Sequence, residues 1–379
     1  MPKTRISAVE WAELEGRRPR LAGCNARLGV HGQSVRVPLA RITTDDGASG
    51  FGFCRATEEQ ILDVLGQPLD ALFDAQYGAT PAGQFFDFPL WDLMAKRAGQ
   101  PVYRLAATMA GKPAPQSLRV SCYDTSLYMD DLHLASDEEA AELLAAETRA
   151  GLACGHRAFK IKTGRGARHM PVEEGTRRDM AVIRAVRAAA GEEAILMIDA
   201  NDGYTLNLAK RVLAETADCR IYWLEEPFHE DHALYEDLQA WLRAEGLPTL
   251  IADGEGEASP NLLAWAQAGL VNVVQYDLLS YGFSDWLALG AKLDGWGVHS
   301  APHHYGRHIG NYAVCHLAGA LARLAFAEWD ETVTPGLDGG GYVIEEGQVV
   351  VPDSPGFGLT LDAEVFTQAA ATRGVIHAL

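Results

Sequence analysis

Basic residues are scarce in this chain. Its 379 residues carry 32 Lys and Arg against 51 Asp and Glu, a formal net charge of −19. A nucleic-acid binder needs a basic face to neutralise phosphates, so that class is set aside. Long apolar runs are also missing. None approaches the ~18 residues of a membrane span, and the opening MPKTRISAVEWAELEG has no apolar core of the secretory kind. Cysteines number six, at 24, 54, 122, 154, 219 and 315, with no CxxC pair. That spacing reads as free thiols in a reducing cytoplasm. No GxGxxG or GxxxxGKS/T follows a strand-like run, which weakens dinucleotide and P-loop readings. Hydrophobic residues make up 48% of the chain, ample for a core.

The texture changes along the chain. Residues 1–117 mix strand-like and helical pieces. SVRVPLARITTDDGASGFGFCRA (34–56) predicts two strands around the turn Thr44-Asp45-Asp46-Gly47. GQFFDFPLWDLMAKRAG (83–99) predicts a helix, since Phe86, Leu90, Leu93 and Met94 recur at three- and four-residue steps. From 118 to 330 eight short apolar runs alternate with helical stretches: LRVSCYD, AFKIKTG, AILMIDAN, RIYWLEEP, TLIADGE, VNVVQYD, GVHSAPH and LAFAEWD. Such alternation predicts parallel strands with crossover helices, and eight repeats favour a (β/α)8 barrel. The fold class expected is therefore α/β, a barrel with an α+β capping domain. Residues 331–379 are turn-rich and end in a short helix, a segment expected to return to the cap.

The runs end in polar residues: Lys160 and Lys162, Asp199 and Asn201, Glu225 and Glu226, Asp253 and Glu255, Asp277, His303 and His304, Glu328 and Asp330. In a barrel the C-terminal strand ends converge on one mouth. Three carboxylates from successive strands suit a hard cation such as Mg2+, although any one alone reads more simply as a helix cap. Strand alternation sends Glu225 and Glu226 to opposite faces, and puts Asp253 and Glu255 on the same one. Lys160 and Lys162 both point inward, and two neighbouring ammoniums are expected to depress each other's pKa. Asp277 beside a His suits a general acid/base, with His303 and His304 both open for the role. The stretch 16–35 holds Arg17, Arg18, Arg20, Arg27, His31 and Gln33. It predicts a loop over the mouth that grips a polar substrate, the plainer alternative being a solvated basic loop.

These residues, in this order, resemble the enolase superfamily and within it the mandelate racemase subgroup. TDDGASGFG (44–52) and LWDLMAKRAGQPVYRL (90–105) are similar to its capping domain. FKIKTG, IDAN, WLEEP and DGEG are similar to its lysine and metal-ligand strands, and VVVPDSPGFGL (349–359) to its return to the cap. The resemblance implies Mg2+ on Asp199, Glu225 and Glu255, with Glu225 preferred to Glu226. It also implies an Asp277–His303 dyad, with His303 preferred to His304.

The chemistry so implied is abstraction of the proton α to a carboxylate, giving a metal-stabilised ene-diolate, with Lys162 on one face and His303 on the other. Lys160 would neutralise the substrate carboxylate and Glu328 would bind its other oxygen. Asn201 and Arg18 are candidate substrate ligands. Dehydration of an acid sugar to a 2-keto-3-deoxy acid is favoured, because the polar stretch 16–35 suits hydroxyls; racemisation or epimerisation of a 2-hydroxy acid is the alternative. Expected partners are a small-molecule carboxylate and further copies of the chain, with neither nucleic acid nor membrane.

Overall fold

The computed structural model describes residues 3–256 and 258–379. Strand Ile6–Ala22 pairs antiparallel with Gly32–Thr44, which pairs in turn with Ser49–Phe53. The tight turn between the last two forms where Asp-Asp-Gly predicted it. Gly47 takes φ 84°, a left-handed value that glycine adopts without cost. Helix Asp87–Arg97 packs its buried Phe88 and Leu93 against this sheet. Gly50 permits the contact: a Cβ there would lie 2.4 Å from the Leu93 amide nitrogen.

One expectation fails here. The arginine-rich stretch does not form a free loop from residue 16. The first strand runs on to Ala22, the second begins at Gly32, and only the tip between them is irregular. Strand alternation therefore buries Arg18 and leaves Arg17 exposed.

Each of the eight apolar runs holds one strand, the first running three residues past its run: Leu118–Leu127, Ala158–Lys162, Ile195–Asp199, Ile221–Glu225, Leu250–Asp253, Val273–Val274, His299–Ser300 and Ala327–Trp329. They pair parallel in chain order. The last also pairs with the first. At the remaining seam, between His299–Ser300 and the last strand's approach, a single parallel bridge joins Ser300 to Leu324. The chain is thus α/β with a mostly parallel sheet.

Strands buried on both faces read as continuous apolar runs, and AFKIK is buried at all five positions. The crossover helices start at sequence-encoded caps. Ser136 and Glu139 form a capping box on Asp137–Ala153, and Asp231 caps His232–Glu245. The C-terminal segment touches both sheets. Gln348–Val351 pairs with Leu118–Leu127, and Val375–Ala378 pairs with Ile6–Ala22. Among the described residues no helix is long and apolar enough to cross a membrane.

Candidate active site

Parallel register brings the polar strand ends together. Lys162 is the register partner of Asp199, and Asp199 of Glu225. Asp199, Glu225 and Glu255 each offer a carboxylate oxygen, all within 4.8 Å of one another. That spacing suits octahedral Mg2+, whose ligand oxygens at ~2.1 Å lie ~3–4 Å apart. Two further observations support the fit. The Glu255 Oε2 atom is buried and makes no aligned hydrogen bond, with only the His303 imidazole in ion-pair range at 3.3 Å. Burial first, then Asp199 and Glu255, pushes the Glu225 carboxyl up to about 8, and a nearby cation would oppose that rise.

Both lysines are engaged with these carboxylates. Lys160 Nζ lies 2.5 Å from Glu225 Oε1, 3.5 Å from Asp199 and 3.7 Å from Glu328. Lys162 Nζ donates to Asp199 Oδ2. The expected mutual depression of the lysines is not the net effect. Burial lowers Lys162 and so does Lys160, but Asp199, with help from Glu255 and Glu225, outweighs them and the ammonium is raised. Asp199 itself falls to about 2: burial opposes this, and Lys162 and Lys160 overcome it.

Across the triad stands the imidazole. His303 Nε2 is 3.3 Å from Glu255 Oε2, and Nδ1 is 3.2 Å from Asp277 Oδ2. Burial alone would lower its pKa; Glu255, Glu328 and Asp277 raise it to about 9. Asp277 does a second job. Its Oδ1 accepts the Ser280 amide at 2.7 Å and caps the short helix Leu278–Tyr281. His304 turns away, its Nε2 2.9 Å from the Glu328 carbonyl oxygen. The Glu328 carboxylate accepts from Thr125 Oγ1 at 2.8 Å and from the His304 amide at 2.7 Å.

Two alternation arguments fail at the strand ends. Glu226 does not face away from the mouth. It takes φ 40°, so the extended geometry stops at Glu225 and both carboxylates enter the site. Asn201 Nδ2 donates to Glu226 Oε2 at 3.0 Å and to Glu255 Oε1 at 3.1 Å. Asp253 and Glu255 do not share a face, because Gly254 at φ 121° separates them. Asp253 accepts instead from the Tyr235 hydroxyl of the neighbouring helix.

Asn201, expected to bind substrate, ties two carboxylates together, with its Oδ1 buried and unpartnered. Arg18 is buried at the edge of the mouth. Its guanidinium lies 4.5 Å over the Tyr305 ring, and Nε is 3.8 Å from Asp330. Tyr305 stacks on Tyr128 at 4.9 Å, and Lys162 Nζ lies 5.4 Å from the Tyr128 ring centre. Sequence reasoning missed both tyrosines. It also missed Gln275 and Trp223, which donate to Glu225 Oε2 at 2.8 and 3.1 Å. Gln275 carried a signal, standing two residues before Asp277 on the same strand end; Tyr128 carried none. Against the triad residue Glu255 is an acidic cavity of about 220 Å3 lined also by Arg27, Asp202 and Glu226 among others. A larger cavity of about 590 Å3 lies between residues 53–55 and 79–88 of the cap and the 279–285 segment, and none of the triad, lysine or histidine residues lines it.

The sequence model of the enolase C-terminal domain-like family matches residues 140–365. A crystal structure of galacturonate dehydratase from a Geobacillus species, complexed with D-galacturonate and 5-keto-4-deoxy-D-galacturonate, superposes with a TM-score of 0.95 at 46% identity over 100% of both chains. A mandelate racemase/muconate lactonizing protein from Geobacillus sp. Y412MC10, complexed with magnesium and tartrate, gives a TM-score of 0.97 at 46% identity, covering 100% of this chain and 98% of that one. Arabinonate dehydratase of Saccharolobus solfataricus is 27% identical over 372 residues, 90% of this chain and 92% of the relative. With its lysine strand, its three carboxylates on successive strands and its Asp–His pair in one mouth, the chain belongs to the enolase superfamily, in the mandelate racemase group.

Proposed function

We propose that this chain is a Mg2+-dependent hydro-lyase that dehydrates an acid sugar, with hexuronates such as galacturonate as the substrate class. The observation that carries the reading is a flanked triad: an ammonium, Lys162, meets the carboxylates at Asp199, and an imidazole, His303, meets them at Glu255. The likeness at 46% identity to a galacturonate dehydratase supports the substrate class.

Asp199, Glu225 and Glu255 would hold the cation, which when bound supplies Lewis-acid stabilisation of charge building on the substrate carboxylate. Lys162 removes the α-proton. Once Asp199 is engaged elsewhere, Lys160 beside it favours the neutral amine that this task needs. The electron pair of the broken C–H bond passes into the carboxylate and then returns, expelling the β-hydroxyl. His303, held protonated by Asp277 and its acidic neighbours, delivers the proton that makes the leaving group water. The enol that remains tautomerises to the ketone. Counted from the carboxylate, the product is a 2-keto-3-deoxy acid. On a hexuronate the carboxylate is carbon six, so the same product is a 5-keto-4-deoxy sugar. The setting that goes with this chemistry is a reducing cytoplasm, supported by six cysteines that are all free thiols.

A panel of hexuronates, aldonates and aldarates tests the reading, with metal-stripped protein reloaded with Mg2+. Keto-acid formation is followed as the semicarbazone and optical rotation in parallel. Keto acid from a hexuronate is expected. Rotation change without keto acid, on an efficiently used substrate, would make the protein a racemase or epimerase instead.

A further inference from the structure

The tip of the capping hairpin reaches the acidic cavity beside Glu255 through one side chain, Arg27. Arg27 Nη1 lies 2.7 Å from Asp202 Oδ2, and Nη2 lies 3.1 Å from Glu226 Oε2. Both acids are buried, with side-chain exposures of 9% and 5%. They follow directly on two of the triad strands, three residues beyond Asp199 and one beyond Glu225. The tip is also fixed from behind: His169 Nε2 is 2.7 Å from the Asn25 carbonyl oxygen, and Cys24 bridges to Met129.

The receptor for Arg27 is built at a cost in backbone conformation. Five non-glycine residues among those described take positive φ, and Asn201, Asp202 and Glu226 are three of them. Such conformations persist where surrounding structure over-determines them, and they cluster at functional sites. Here they turn two carboxylates toward the hairpin. Asn201 then links Glu226 to the triad residue Glu255.

We propose that Arg27 couples the capping hairpin to the cation site, compensating Glu226 and Asp202 so that the site holds the divalent cation less tightly and leaves more of its charge for an anionic substrate. The inference rests on the proposed cation site. Its sign follows from charge: a cationic guanidinium beside carboxylates around a divalent ion opposes that ion's binding. Arg27 is 43% exposed, so solvent screens the effect.

The test uses the full chain, stripped of metal and titrated with Mn2+ while the free ion is followed by electron paramagnetic resonance. Arg27→Gln should tighten Mn2+ binding by about three- to tenfold. Arg27→Lys should lie closer to wild type than Arg27→Gln, since the charge is kept although the fork that spans both acids is lost. In a Glu226→Gln background the effect of Arg27→Gln should fall by more than half, because the coupling runs through that carboxylate. A structural role alone would loosen the site and weaken binding. Weaker or unchanged Mn2+ affinity in Arg27→Gln, or an undiminished effect in the double variant, overturns the proposal. Wild-type protein that binds no Mn2+ removes the cation site itself and this inference with it.

Discussion

Replacing Asp277 by Asn separates the two jobs that its carboxylate performs. One oxygen caps the helix Leu278–Tyr281 through the Ser280 amide, and asparagine caps about as well as aspartate. The other faces His303 Nδ1 at 3.2 Å, and there the charge matters. A hydrogen bond to a charged partner contributes about 1.5–3 kcal/mol. At 1.36 kcal/mol per pKa unit, its loss should lower His303 by about one to two units. Burial already disfavours the imidazolium, while Glu255, Glu328 and Asp277 together hold the wild-type group at about 9. A group with a raised pKa is protonated below that value and loses its proton as pH rises through it. The proposed mechanism needs His303 protonated to expel the hydroxyl, so turnover should fall on the alkaline side. In Asp277→Asn that limb should move to lower pH by about one to two units. Bound cation shares the charge of Glu255, so the measured quantity is the shift between variant and wild type at the same Mg2+ loading. Initial rates of keto-acid formation between pH 5 and 10 give the two profiles. An alkaline limb that stays in place in a folded variant, or moves upward, refutes the dyad.

Lys162→Ala and His303→Asn should each lower turnover by at least about 10²-fold, the usual contribution of a general acid or base; wild-type rates in either would remove that residue from the mechanism. Exchange of the α-proton with solvent deuterium should survive in His303→Asn and be lost in Lys162→Ala. Excess chelator should abolish activity and Mg2+ restore it, and calorimetry should show Mg2+ stabilising the fold by ~2.7 kcal/mol at a hundredfold excess over Kd. Gly50→Ala should destabilise the protein by about 1–3 kcal/mol in urea titrations, since its Cβ would meet the Leu93 amide at 2.4 Å.

What the sequence made legible follows from burial. A parallel strand covered on both faces must be apolar until it surfaces. Polar residues after AILMI, IYWL and TLIA therefore mark the end at which each strand emerges, and with it Asp199, Glu225 and the approach to Glu255. The hairpin at Gly47 and the helix at 87–97 were legible because turn chemistry and helical period are local. The fate of the arginines was not. Arg20 pairs with Glu147 at 3.3 Å and Arg27 with Asp202, partners more than a hundred residues away in the chain. Composition alone cannot tell such a clasp from a solvated loop. His303 and His304 divide on a similar contact, the Glu328 carbonyl oxygen that takes up the second ring. Alternation failed for Glu226 and Asp253 because it is a property of extended backbone, and Glu226 and Gly254 leave that region with φ values of 40° and 121°.

The pairing of lysines with carboxylates also bears on how an anion enters a protein of net charge −19. Lys160 is held by Glu225, and Lys162 by Asp199. These are the acids that would ligate the cation. A carboxylate oxygen given to a metal is a weaker acceptor for an ammonium, so filling the site frees both lysines together. Both are almost fully buried, and the partner left to Lys160 is Glu328 at 3.7 Å. A buried ammonium deprived of its counter-ion costs free energy until a new anion reaches it or it loses its proton. In the proposed mechanism Lys160 meets that demand by taking the substrate carboxylate, and Lys162 by becoming the neutral base. The same charges that hold the empty site together thus prepare it, once filled, for an acid substrate.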